Sequence, residues 1–256
     1  MPQRILQELT YLFSGLSFYT RIPCPAWVEY SPDNLNKSRK YLPLIGLFIG
    51  AFAALVYALC EWLLPTSISI ALSMIFTVVL TGAFHEDGLA DCADGFGGGW
   101  DKAQILTIMK DSRMGAYGTI SLVLILGLKF LLLYELTLVS AEALLLGLMV
   151  GHTLSRLMPS FIMQFYDYVS ELSTSKSKTV TSLRLNHAEM AFSCIPVLLL
   201  VVFTWPIMLG LCLLVLLLFT GFLGSYFKKR IGGYTGDCLG AIQQLTEVLV
   251  YLVLVM

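Results

Sequence analysis

Charge is what this sequence has least of. Only 13% of its 256 residues are Asp, Glu, Lys or Arg, whereas 57% are hydrophobic and the mean hydropathy is +0.79. A soluble domain carries about 25% charged residues. The surface is therefore expected to face lipid over much of its area. Neither sign of charge dominates: 16 basic and 17 acidic side chains leave a net charge of −1. The basic excess of a nucleic-acid binder is absent. The six cysteines, Cys24, Cys60, Cys92, Cys194, Cys212 and Cys238, form no CxxC or other close pair, and three lie in apolar runs. Neither a disulfide framework nor a zinc site is expected. A cleavable signal peptide is not expected either, because the first 20 residues contain Arg4 and Glu8 and no long apolar run. There is no obvious repeat of 20–50 residues. The chain reads as a single integral membrane domain over 1–256.

What is present is a series of long apolar runs. A helix needs about 20 mostly apolar residues to cross the hydrocarbon layer. Seven runs approach that length: 42–64, 68–85, 117–138, 142–164, 189–204, 207–227 and 241–256. The fold class expected is all-α, a polytopic bundle of about seven transmembrane helices. The fifth and last runs are short, which suits a tilted or broken helix. Residues 5–20 alternate apolar and polar positions and suggest an N-terminal interfacial or half-inserted helix.

The loops alternate in charge. Arg21, Lys37, Arg39 and Lys40 precede the first run; Lys102, Lys110 and Arg113 follow the second; Lys176, Lys178 and Arg184 follow the fourth; Lys228, Lys229 and Arg230 follow the sixth. The intervening turns, near Pro65, between Glu135 and Glu142, and at Trp205-Pro206, hold no Lys or Arg. Basic loops stay on the cytoplasmic side. The expected location is the cell inner membrane, N-terminus in and C-terminus out, with motif loops near 85–116 and 228–240 facing the cytoplasm. The Ser/Thr/Lys-rich stretch Thr174–Ser182 reads as a mobile loop.

Three polar motifs interrupt this apolar background. The first is His85-Glu86-Asp87-Gly88-Leu89-Ala90-Asp91-Cys92-Ala93-Asp94-Gly95. Asp87, Asp91 and Asp94 are spaced by four and three residues, which places them on one face of a helix. Gly95, Gly97, Gly98 and Gly99 are expected to end that helix. Three carboxylates on one face repel one another unless a cation intervenes, and Mg²⁺ takes such oxygen ligands together with substrate phosphates. Glu86 is a candidate additional ligand. The plainer alternative is a solvated acidic helix end.

The second motif is Lys110-Asp111-Ser112-Arg113-Met114-Gly115. Arg113 is suited to clamp a phosphate bidentately, and Asp111 to ligate a metal or act as a base. An ordinary juxtamembrane charge pair would look the same. The third motif is Gly232-Gly233-Tyr234-Thr235-Gly236-Asp237-Cys238-Leu239-Gly240. Its Asp237 is either a helix N-cap or a site carboxylate. Lys129, His152 and Arg156 lie deep within apolar runs. Lys129 suits pairing with a carboxylate. His152 and Arg156 lie one turn apart on one face, His152 suited to an interhelical hydrogen bond and Arg156 to a phosphate. Groups at such depth usually face a polar interior.

Taken together, FHEDGLADCADG at 84–95, DSRMGAYG at 111–118 and GGYTGDCLGA at 232–241 resemble the motifs of the cobalamin synthase family, the adenosylcobinamide-GDP ribazoletransferases. RIPCP at 21–25 and PLIGLFIG at 43–50 also resemble family positions, so the likeness runs from about residue 20 to 250. The resemblance implies a transferase that joins adenosylcobinamide-GDP to α-ribazole or its 5′-phosphate. Its products are adenosylcobalamin, or the 5′-phosphate, and GMP, and it depends on Mg²⁺. Carried onto this sequence, Glu86, Asp87, Asp91 and Asp94 become the metal set. Asp111, Arg113 and Asp237 become catalytic candidates, and Arg113, Arg156, Thr235 and Gly236 substrate contacts. The partners are then the two substrates and the lipid bilayer, with a homo-oligomer or association with other cobalamin-assembly enzymes left open. Two alternatives use similar residues. Another Mg²⁺-dependent membrane phosphotransferase or prenyltransferase would need an Ala-Arg pair after the Asp-Gly or a second acidic cluster, and neither is seen. A divalent-cation transporter would place its acids near the bilayer midplane, whereas these lie at the membrane edge.

Overall fold

A computed structural model describes residues 3–169, 184–202 and 206–256. The expected loop Thr174–Ser182 and the turn residue Trp205 lie outside the described residues. The described chain is all-helical, with α1 (Gln3–Tyr19), α2 (Pro32–Ser38), α3 (Leu42–Glu61), α4 (Thr66–Thr81), α5 (Phe84–Gly98) and α6 (Lys102–Met109) in its first half. There follow α7 (Ala116–Val139), α8 (Ala141–Phe165), α9 (His187–Ser193), α10 (Ile195–Val201), α11 (Pro206–Ile231) and α12 (Gly236–Leu254).

Five helical stretches are long and apolar enough to cross a membrane, and a sixth if the bent pair α4–α5 is one span. This is close to the seven runs read from sequence. The shortfall lies in two runs. The 68–85 run gives α4, after which the chain turns by 86° into α5. The 189–204 run forms the short helices α9 and α10 over its described residues. α1 forms where an interfacial helix was expected. It is fastened to the start of α3 by Glu8, whose Oε2 accepts from the Tyr41 hydroxyl and Lys40 Nζ, each at 2.6 Å.

α8 and α12 are the inner helices, and α7 and α11 present mostly exposed leucines, valines and isoleucines. Burial separates the two kinds of helix: 78% of the apolar stretch of α8 lies inside the bundle, against 22% for α7. Small residues bring helices together in lipid, where apolar burial supplies little net attraction. Gly46 and Gly50, four apart on α3, show this. A Cβ on either would strike the α8 backbone, at His152 and Leu148. α3 therefore lies directly on α8.

The bend before α5 aims the acidic motif. Gly82 closes α4 in the left-handed region at φ 66°, and Ala83 follows at φ 57°. Glycine carries that conformation freely; Ala83 carries it at a cost of about 1–2 kcal/mol. The helix continues past Gly95 and Gly97 and ends within the expected glycine stretch, at Gly98 with Gly99 as its C-cap. The first two make room: Gly95 faces Met109 and Gly97 faces the Tyr117 ring.

Candidate active site

α5 and α12 cross where both carry glycine. A Cβ on Gly88 would come within 3.1 Å of the Asp237 carbonyl oxygen and 3.2 Å of Gly240 Cα, and one on Gly240 would meet Gly88 in return. Two motifs separated by about 150 residues are thereby pressed backbone to backbone. The crossing sets Asp87 and Asp237 on the wall of one cavity of about 290 Å³. His85, Arg156, Gln243 and Gly236 also line it. Its mouth is aromatic, with Phe18, Tyr30 and Phe84 all exposed, and its floor is polar, with His85, Arg156 and Gln243 all buried.

The third motif is positioned from two directions. Residues 167–169 pair with the loop as a short parallel bridge: Tyr234 N–H donates to the Asp167 carbonyl at 3.0 Å, and Val169 N–H to the Tyr234 carbonyl at 2.8 Å. Thr235, expected as a substrate contact, is the N-cap of α12, its hydroxyl accepting from Cys238 N–H at 3.3 Å. Since Thr235 caps the helix, Asp237 is not needed as the cap. Its carboxylate is free for the cavity, apart from a 3.3 Å contact from the Thr235 hydroxyl. Gly236 has open space where a side chain would project.

Of the three α5 aspartates, the structure separates one from the others. Asp94 is buried and accepts from Gly115 N–H at 2.7 Å and Gly118 N–H at 2.9 Å. It thus satisfies orphan donors at the N-terminus of α7, where a negative charge also meets the helix dipole. Gly115 and Gly118 are small because a Cβ at either would collide with that carboxylate. Asp91, half-buried, lies in the field of Asp237, Asp87 and Asp94. Glu86 faces the bundle interior, where its Oε1 accepts from Gln244 Nε2 at 3.0 Å. Of the four expected metal ligands only Asp87 lines the cavity; Glu86, Asp91 and Asp94 are not among its residues.

Among the described residues, no three His, Cys, Asp or Glu side chains converge as a ready-made metal cage. Mg²⁺ needs no such cage, because it binds through one or two carboxylates plus water and substrate phosphates. The oxygen donors of Asp87 and Asp91, crowded by Asp237, fit that mode.

The second motif sits outside the cavity. Arg113 is 87% exposed along its side chain and is engaged by Asp111, with Nη2–Oδ2 at 2.6 Å and Nε–Oδ1 at 3.0 Å. Hydrogen bonds from the Arg113 side chain, and then from its backbone N–H, hold the Asp111 carboxyl down at about 2. The loop they occupy is anchored at Gly115 and Gly118, two and five residues after Arg113, by the Asp94 cap.

The floor of the cavity joins Arg156, a phosphate candidate from its sequence position, to Gln243 of α12. Arg156 Nη1 donates to the His152 carbonyl at 3.1 Å and meets His152 Nδ1 at 3.0 Å, while its Nε has no partner among the described residues. Lys129 does pair with a carboxylate, Glu247 of α12, at 2.5 Å. Gln243, Gln244 and Glu247 lie in what reads as a plain apolar run. A Gln-Gln-x-x-Glu step at helical spacing inside such a run was the available signal, since a charge at membrane depth is retained only where it has a polar partner.

Apolar spanning helices around a pocket with exposed Asp87, half-buried Asp237 and buried Arg156 define a polytopic membrane protein with a polar site between its helices. Comparison with known proteins places it more narrowly. A family model described as cobalamin-5-phosphate synthase matches residues 11–255. The adenosylcobinamide-GDP ribazoletransferase of Shewanella frigidimarina (strain NCIMB 400) is 49% identical over 253 residues, covering 97% of this chain and 95% of that protein. The protein of the same name from Shewanella woodyi (strain ATCC 51908 / MS32) is 45% identical over 249 residues, covering 97% and 96%. No solved structure matches the chain at a significant level. The chain belongs to the cobalamin-5-phosphate synthase family.

Proposed function

We infer that this protein catalyses the reaction named for its relatives, transfer of adenosylcobinamide phosphate from adenosylcobinamide-GDP to α-ribazole or its 5′-phosphate. A ribose hydroxyl attacks the phosphorus that stays with cobinamide. The new P–O bond forms as the bond to the GMP oxygen breaks, and GMP leaves with that electron pair. The observation that carries the proposal is the meeting of Asp87, Asp237 and Arg156 in one cavity, built from three distant parts of the chain.

Each residue has a role that follows from its place. Asp87 and Asp91 would hold Mg²⁺, which when bound neutralises the pyrophosphate oxygens. Arg156 binds the phosphates from the floor, where low dielectric strengthens the contact. Asp237 accepts the proton of the attacking hydroxyl. Arg113 adds a second phosphate contact by exchanging its Asp111 carboxylate for phosphate oxygens, a like-for-like substitution of bidentate acceptors. Purified protein mixed with adenosylcobinamide-GDP and α-ribazole should release GMP with Mg²⁺ and not after chelation. Mg²⁺-independent release would remove the metal from the proposal, and no release with either acceptor would remove the reaction.

The same proposal sets the chain in the cell inner membrane with the motif loops cytoplasmic. Its support is the alternation of loops that carry Lys and Arg with turns that carry neither. A cysteine introduced at Lys229 should resist an impermeant thiol reagent added outside intact cells. Rapid labelling there would reverse the orientation.

A further inference from the structure

Behind the cavity floor lies a polar cluster that the chemistry above does not use. Glu247, on α12, is 1% exposed and receives four contacts. Lys129 of α7 reaches Oε1 at 2.5 Å, and the Tyr251 hydroxyl donates to the same oxygen at 3.0 Å. Gln243 Nε2 donates to Oε2 at 2.6 Å, and His152 Nδ1 of α8 lies 3.5 Å from that oxygen. Gln243 also donates to the Ser155 hydroxyl, at 3.0 Å, on the residue next to Arg156. The carboxylate therefore joins α7 to α12 directly and reaches α8 through Gln243 and Ser155, at the level of the cavity floor.

The bond pattern gives the cluster a direction. A guanidinium has only donors. At the 3.0 Å contact, His152 Nδ1 must accept from Arg156, so the ring proton sits on Nε2. A nitrogen in that state cannot donate to Glu247. The carboxylate instead pairs with Lys129 and fixes Gln243, which lines the cavity and donates to Ser155, whose hydroxyl shares the His152 carbonyl with Arg156. Glu86 completes the set, joined through Gln244, which also donates to Gln243 Oε1 at 2.9 Å. Two acids and two bases, all buried, thus share one hydrogen-bonded frame. Buried charges of this kind are a weak source of net stability, because desolvation offsets their attraction. Their retention calls for another role.

We propose that Glu247 is a positioning residue that holds Arg156 in the orientation that receives the substrate phosphate. This rests on the reading of Arg156 as a phosphate contact. GMP release should be measured for Glu247→Gln, Arg156→Ala, the double variant, and the charge-neutral pair Lys129→Met/Glu247→Gln. Glu247→Gln should lower kcat/KM for adenosylcobinamide-GDP by about ten- to a hundredfold. In an Arg156→Ala background the same change should have almost no further effect. Multiplying effects would overturn the proposal. Lys129→Met/Glu247→Gln removes both charges, so it guards against misfolding from an unpaired lysine. If it folds and stays slow, Glu247 acts through Arg156; if it regains full activity, Glu247 only neutralises Lys129 and the proposal fails. Full activity in Arg156→Ala alone would overturn the underlying reading of Arg156, a result distinct from the others.

Discussion

Arg156 and Arg113 are the same residue type put to opposite kinds of use. Arg156 is 2% exposed, fixed from behind by His152 and surrounded by a balanced charge cluster. Arg113 is exposed, lies on a loop, and spends its guanidinium on Asp111 two residues away. The buried arginine is ordered by folding, so under the proposed function it would meet a phosphate already oriented. The loop arginine must first give up a carboxylate and lose rotamer freedom. Position in the bundle, more than side-chain chemistry, decides how much each can contribute.

The aspartates divide in the same way, and there the largest effects are expected. Asp87→Asn and Asp237→Asn should each lower kcat by at least about a hundredfold, since the first removes a proposed Mg²⁺ ligand and the second the proposed base for the attacking hydroxyl. Asp94→Asn should act differently. An amide offers one acceptor oxygen where the carboxylate serves Gly115 and Gly118 together, so stability should fall by about 1–3 kcal/mol. The KM values of the surviving folded enzyme should stay near wild type. Thermal unfolding in detergent alongside steady-state kinetics separates the two patterns. A fully stable but inactive Asp94→Asn would return Asp94 to the metal set.

Much of this was legible in the sequence because local spacing carries it. The apolar runs, the four-and-three spacing of the acids and the one-turn step from His152 to Arg156 all survive as helical geometry. The resemblance to the family rested on those motifs and holds over residues 11–255. What spacing could not supply is which distant surfaces meet. Nothing local says that Gly88 will lie on Gly240, or that Asp94 will turn from its neighbours to cap α7. Glu247 was missed for a different reason. One acid among the valines and leucines of α12 barely disturbs a hydropathy average, and its partner Lys129 is more than a hundred residues away. The 68–85 run was read as a simple span because the bend at Gly82 and Ala83 follows from backbone conformation, on which hydropathy is silent.

The contrast between the two arginines can be tested by making the same conservative change at both. Lysine keeps the charge and loses the rigid fork. GMP release from adenosylcobinamide-GDP at saturating Mg²⁺ should fall by about a hundredfold or more in Arg156→Lys. In Arg113→Lys it should fall by only about tenfold, with kcat and kcat/KM lowered together. A larger loss at Arg113 than at Arg156 would contradict the account and move the centre of phosphate binding from the cavity floor to the loop before α7.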